Sequence, residues 1–280
     1  MKKKKISLST IGLAVLFLVG LSVMLYPTVS DWWNRKVSSR AVANYKEMVD
    51  NTSAEKLAKM LDDAADYNRR LLMLDYPLVD YARVEGYEDT LDITGTGIMG
   101  YVTIPSVNIE LPIFHGTSKG VLNTAAGHLQ GTTLPVGGIG NHAVISAHRG
   151  LPSARLFTDI DKIVEGDTFT ITVLDQIYTY EVEQILIVLP SETENIMPVA
   201  DKDYVTLMTC TPYGINTHRL LLRGHRIASV YDSVGAKVSA DAVQVDPMLV
   251  VPVIAAPLVI GLLVYWFKRK DYTSPTARTL

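Results

Sequence analysis

The sequence predicts a mainly β protein: a closed or nearly closed β-barrel with N-terminal helices and short connecting helices, flanked by two transmembrane helices. Three observations carry this. From residue 99 onward, short stretches rich in Val, Ile, Thr and Tyr recur between turns, the spacing of barrel strands. Between residues 31 and 73, apolar residues return at three- and four-residue steps, the helical period. Near each end of the chain lies a long run without charge.

The first uncharged run covers residues 6–30, 25 positions, and follows MKKKK. A basic start followed by a stretch this long suits a bilayer core of roughly 30 Å. A cleaved signal peptide is the alternative. No small-x-small site follows, and the chain continues YPTVSDWW, so the run reads as a retained anchor with Trp32 and Trp33 at the far interface. The second run, residues 247–267, has 21 positions and stops at Lys268-Arg269-Lys270. Pro252 and Pro257 lie inside it, which membrane helices tolerate; a buried core helix is the alternative. Positive charge at both outer ends places the two termini in the cytoplasm and the middle outside.

Residues 31–247 hold 18 Lys and Arg against 28 Asp and Glu, a net charge of −10. So acidic a domain excludes nucleic acid as a partner. The expected organisation is a basic start and anchor (1–30), helices (31–73), a loop or flap (74–98), the barrel (99–228), a linker (229–246), a second span (247–267) and a tail (268–280).

In NTSAEKLAKMLDDAADYNRRLLML, Leu57, Met60, Leu61, Ala64, Tyr67 and Leu71 form one stripe, read as packing on the following domain. Thr52 and Glu55 form a T-x-x-E capping box at its start. AVANYKEMV reads as a short helix of its own. Residues 74–98 show no sustained period. The predicted strands are YVTIP, NIELPIF, AVISAH, TFTITVL, IYTYEVEQILIVL, YVTLMTC and HRLLLRGHRIA.

Cys210 is the only cysteine in 280 residues and sits at the end of the YVTLMTC strand. It has no partner for an internal disulfide. It is either a small buried hydrophobe or a nucleophile, and a nucleophile requires an imidazole or cation nearby and access. His148 follows the AVIS strand, where barrel loops gather; His142 begins that strand and is expected to face elsewhere. His115 and His128 are expected in Gly-rich turns, where a histidine usually bonds to backbone. Arg219 opens the strand after Cys210, and Arg223 shares its face. If those two strands are neighbours, Arg219 meets Cys210 and can hold a carbonyl oxygen or an oxyanion.

TLMTC followed nine residues later by Arg219 resembles the signature of the sortase family. The stretches TLMTCTPYGINTHRLLLRGHR, GYVTIPSVNIELPIFHGT, AAGHLQGTTLPVGG and HAVISAHRGLPSARLFTDID resemble its class C, pilin-assembling branch, over roughly residues 40–228. The resemblance implies a sortase-type barrel and a cysteine transpeptidase with Cys210 as nucleophile, His148 as general acid and base, and Arg219 as substrate and oxyanion holder. It implies cleavage of LPXTG-like sorting signals between Thr and Gly through a thioester, and joining of pilin subunits through an acceptor lysine, with no metal or organic cofactor. Cell-wall precursor is a further candidate partner, as in sortases that anchor surface proteins to peptidoglycan. A non-enzymatic membrane-tethered scaffold, with Cys210 buried and inert, is the reading from another class.

Class C members usually carry a lid with an Asp-Pro-aromatic motif. Here LDYPLVDYARVEG offers Asp75-Tyr76-Pro77 and Asp80-Tyr81 without that order. Either pair is a candidate to set a carboxylate against Arg219 and a ring over Cys210; the alternative is a solvated loop.

Overall fold

The structure is a computed structural model that describes residues 8–229. Three helices come first: α1 (Leu8–Asp50), α2 (Ala54–Leu72) and the single turn α3 (Pro77–Asp80). Eight strands follow: β1 (Ile98–Ile104), β2 (Ile109–His115), β3 (Ala126–His128), β4 (His142–Ser146), β5 (Thr168–Val173), β6 (Gln176–Val188), β7 (Tyr204–Thr211) and β8 (His218–Ile227). They close into a barrel in the order β1-β2-β3-β4-β7-β8-β6-β5, with β5 returning to β1. The second uncharged run, the tail and nearly all of the expected linker lie outside the described residues.

α1 corrects the expected N-terminal organisation. Residues 8–30 of the uncharged run and the AVANYKEMV segment are parts of one helix of 43 residues. The switch from apolar to charged side chains changes what surrounds the helix but leaves its backbone bonds intact. Residues 12–20 are exposed, whereas Asp31, Ser38, Val42, Tyr45 and Val49 are buried. That stripe, at three-, four- and seven-residue steps, lies against the barrel. Tyr45 Oη donates to Met99 O (3.0 Å) and accepts from Leu174 N (2.7 Å).

The start of α2 is also corrected. Its N-cap is Ser53, whose Oγ accepts from Lys56 N at 3.4 Å, whereas the Thr52 hydroxyl donates to Met48 O at 2.8 Å and so belongs to the end of α1. The α2 stripe packs as expected: Leu57, Ala64, Tyr67 and Leu71 are buried in the main core, with Met60 and Leu61 half-buried against it. Buried Asn68 clamps α2 to the β3–β4 connection, donating to Leu134 O (3.0 Å) and accepting from Leu134 N (2.7 Å).

Alternation sorts the strand residues into two layers. Ala143, Ile145, Val205, Leu207, Leu220 and Leu222 fill the interior with Phe169, Ile171 and Tyr180. Val144, Val188 and Leu221, with Met208 and Leu186, form a second apolar patch on the outer face of β4, β7, β8 and β6. Ile196 from the β6–β7 connection, Leu129 from the β3–β4 connection and Leu78 of α3 complete that patch.

The segment between α2 and β1 is anchored rather than loose. The buried Tyr87 hydroxyl donates to His128 Nδ1 at 2.9 Å and accepts from Gly116 N at 2.9 Å. His128 lies in β3, not in a turn, and its Nε2 donates to Thr133 O at 2.9 Å. His115 ends β2, with its ring nitrogens 3.0 Å from Gly97 O and 2.8 Å from Thr90 O. Gly131 lets α3 approach closely: at φ +87°, a Cβ there would come within 2.7 Å of both Pro77 O and Leu78 Cα.

Candidate active site

β7 carries Cys210 one residue before its end and runs between β4 and β8. On one side the pairing is antiparallel, and Cys210 is the direct partner of Arg219. Directly opposed residues of an antiparallel pair have Cα atoms about 4.5–5.5 Å apart. On the other side the pairing is parallel, with Ser146 opposite Met208. His148 follows Ser146 by two residues, as Cys210 follows Met208.

Hydrogen bonds extend that register beyond β4. Ala147 N donates to Met208 O at 3.2 Å, and the Thr209 hydroxyl donates to Ala147 O at 2.8 Å. The His148 carbonyl accepts from Phe157 N at 3.1 Å. His148 is half-buried, and loss of solvation pulls its ring below the ordinary histidine value. Cys210 and Arg219 are also half-buried, so all three sit at the rim with access to solvent. The Arg219 guanidinium donates through Nη1 to Asn216 O (3.3 Å) and His218 O (3.2 Å). Among the described residues no carboxylate forms an ion pair with it, which leaves its charge available to an incoming oxygen.

The other sequence candidates have different places. His142 is buried at the far end of β4, level with Tyr204 and so about 20 Å down the strand from His148. Its Nδ1 donates to Met197 O at 3.0 Å and its Nε2 accepts from the Thr206 hydroxyl at 2.7 Å. Arg223 pairs with Glu183 at 3.1 Å and lies over the Tyr204 ring.

Burial depresses both His128 and His142 to about 4. The unfolded chain takes up protons on these rings below about pH 6.5, but the folded chain does so only near pH 4. The contribution to stability is thus full above pH 6.5, falls between 6.5 and 4, and levels off below. The loss is on the order of 3 kcal/mol per ring across that window. Urea unfolding of the detergent-solubilised chain checks this: the midpoint is expected to be lower at pH 5 than at pH 7, and an unchanged midpoint contradicts it.

The lid candidates occupy several positions. Asp75 is exposed, and Tyr76 is 70% exposed. Asp80 lies 3.8 Å from Arg83, and Tyr81 packs against the main core. The residue of this segment that reaches the patch below Cys210 is Leu78, which shares that patch with Met208, two residues before the thiol on the same face.

Two neighbours of the site were not singled out from sequence. Arg149, directly after His148, is 11% exposed in its side chain, pairs with Asp161, and lies 5.8 Å from the centre of the Tyr213 ring. A Cβ on Gly150 would come within 3.2 Å of that ring. The β7–β8 turn therefore leans on the segment that carries His148. An Arg-Gly directly after the histidine and a Tyr in the turn after the cysteine are the available signals, and neither specifies a contact.

Known proteins resemble this chain in sequence and in fold. The family described as "Sortase domain" matches residues 102–227. Sortase A of Streptococcus agalactiae serotype III (strain NEM316) is 34% identical over 117 residues, covering 41% of this chain and 47% of the relative. Sortase A of Bacillus anthracis is 29% identical over 133 residues, covering 47% and 61%. The chain thus spans about half the length of the curated relatives it matches. The crystal structure of sortase C1 from Streptococcus agalactiae is 44% identical with a TM-score of 0.62, covering 68% of this chain and 99% of that one. Sortase C from Clostridium perfringens SM101 is 38% identical with a TM-score of 0.57, covering 68% and 99%. With an eight-stranded barrel, Cys210 and Arg219 paired at its rim, and near-complete coverage of solved sortase C chains, this chain belongs to the sortase family, in its class C branch.

Proposed function

We propose that this protein is a membrane-anchored cysteine transpeptidase that cleaves LPXTG-like sorting signals between Thr and Gly and joins pilin subunits through lysine isopeptide bonds. One observation carries the reading: Cys210 is the direct cross-strand partner of Arg219, and β4, the strand on its other side, ends two residues before His148. No other cysteine competes as nucleophile. Sortase C of Streptococcus pneumoniae, a solved relative 39% identical to this chain, has pilin substrate specificity.

Held below its ordinary value, the His148 ring is neutral near pH 7 and takes the thiol proton as the Cys210 thiolate forms. The thiolate attacks the Thr carbonyl carbon, and Arg219 holds the developing oxyanion. The imidazolium returns its proton to the departing amine of Gly, leaving a thioester between Cys210 and Thr. A lysine amine of the next subunit gives a proton to His148 and attacks the thioester. The isopeptide bond forms, and the thiol is restored. Anchoring rests on the uncharged run of α1, with residues 247–267 as a second span. Both termini then lie in the cytoplasm and the barrel on the outer surface of a Gram-positive cell.

Incubating the full chain with a pilin subunit, or with a glycine-rich amine, tests the acceptor. Covalent polymers with the first and little product with the second are expected. Preference for the glycine amine overturns pilin joining and favours anchoring to peptidoglycan.

The segment from Asp75 to Tyr81 acts as a lid in this reading, held by Leu78 in the patch below Cys210. Leu78→Asp is expected to speed alkylation of Cys210 several-fold, because the charge leaves an apolar site. Asp75→Ala and Asp80→Ala report whether either carboxylate also latches the lid on Arg219, with Tyr76 or Tyr81 over the thiol. Unchanged alkylation in all three variants leaves the segment as a surface loop.

A further inference from the structure

The course of α1 fixes which end of the barrel can meet a membrane. This rests on the reading of residues 6–30 as a membrane anchor. α1 is exposed on all sides through residues 12–20, and its first buried residue is Asp31, one residue after the uncharged run ends. From there it lies along the barrel to Tyr45, about 21 Å further on, where Tyr45 bonds Met99 and Leu174 at the end opposite Cys210. At its other end α1 holds the β4–β5 connection. Asp31 Oδ1 accepts from Arg155 N at 2.8 Å, and Asn34 Nδ2 donates to Ser153 O at 2.7 Å. Arg155 is two residues from Phe157, whose N–H bonds the His148 carbonyl at 3.1 Å. Two residues span at most about 7 Å, so the His148 carbonyl lies within about 13 Å of the Asp31 carboxylate, which directly follows the uncharged run. The interfacial layer of a bilayer is roughly 5–7 Å thick on each side, so His148 lies within about two such thicknesses of the end of the run.

The same end of the barrel exposes apolar side chains. Ile187 is 65% exposed and pairs with Leu220, next to Arg219; Leu189 is 47% exposed. Tyr213 and Ile215, in the turn between Cys210 and Arg219, are 59% and 67% exposed. On α1, Trp32 and Trp33 lie in the first turn beyond the run, 40% and 58% exposed, with Lys36 Nζ 5.2 Å from the Trp32 ring centre. Aromatic and apolar side chains with a nearby cation are the composition of a lipid-interface contact.

We propose that the rim bearing Cys210, His148 and Arg219 faces the bilayer, and that Ile187, Leu189, Tyr213 and Ile215 rest in the lipid headgroup layer. The occupant of this surface is the same membrane that α1 enters, so catalysis takes place at headgroup height.

The test uses the full chain in phosphatidylcholine–phosphatidylglycerol vesicles. In a Cys210→Ser background, which holds no other thiol, four single variants carry a fluorophore: Val19→Cys in the run, Ile187→Cys and Ile215→Cys on the rim, and Gln176→Cys at the opposite end. All four positions are exposed. A nitroxide on lipid headgroups is expected to quench positions 187 and 215 and to leave 176 unchanged, while an acyl-chain nitroxide quenches 19. If 187 and 215 behave like 176 while 19 is quenched, the anchor stands and the orientation is overturned. If 19 escapes quenching, the anchor fails and the orientation falls with it.

Discussion

Cys210→Ala is expected to abolish covalent joining, with no acyl-enzyme and no polymer above background. The sulfur forms the bond that stores the acyl group, and no neighbouring residue replaces it. The wild-type barrel surroundings survive the change, because Cys210 is half-buried at the end of β7 and alanine keeps the strand pairing with Arg219. Circular dichroism on the same preparation separates loss of chemistry from loss of fold. Polymer formed by a folded Cys210→Ala protein contradicts the thioester route.

The second large effect concerns the two flanking strands. His148→Ala and Arg219→Ala are each expected to lower kcat/KM on the order of 10²-fold or more. The reasons differ, and so do the signatures. Without His148, the thiol keeps its proton and the leaving amine finds none, so acyl-enzyme formation slows. Without Arg219, the oxyanion loses its cation, and Arg219→Lys restores only part of the rate because a lysine lacks the planar fork. Single-turnover capture of a sorting peptide, followed by mass spectrometry, reads the first half-reaction alone. Near-wild-type capture by either alanine variant removes that residue from the role assigned to it.

Much of the barrel was legible in the sequence because its strands alternate or carry β-branched runs. β3 was not. It is three residues long with glycine at its centre, and that glycine is set by tertiary contact: a Cβ on Gly127 would lie 2.2 Å from Gly116 O. A strand chosen for close backbone approach has no hydrophobic pattern to read. The continuity of α1 was hidden for a related reason. The change of side-chain character at Asp31 marks a change of surroundings, and the helix passes through it unbroken.

Within the site, the Cys210–Arg219 pair was the easier half. A short connection between two strands makes them antiparallel neighbours, and the register follows from the turn. His148 follows β4, whose parallel partner β7 lies about sixty residues away, a separation shown by the bond from Thr209 to Ala147. Nothing local announces such a neighbour, and the resemblance to a known family supplied it. Leu78 was illegible for the same reason. Its role depends on Gly131 letting α3 approach and on Met208 facing outward, and each is a property of the folded barrel.

The most direct measurement of the central claim is the mass of the acyl-enzyme. The full chain is mixed with an LPXTG-like peptide, quenched in acid, digested and mapped. The account predicts one adduct, on the Cys210 peptide, equal to the substrate up to and including Thr with loss of water, and removed by hydroxylamine. An adduct on any other residue, or an unmodified Cys210 in a sample that still turns over peptide, contradicts it.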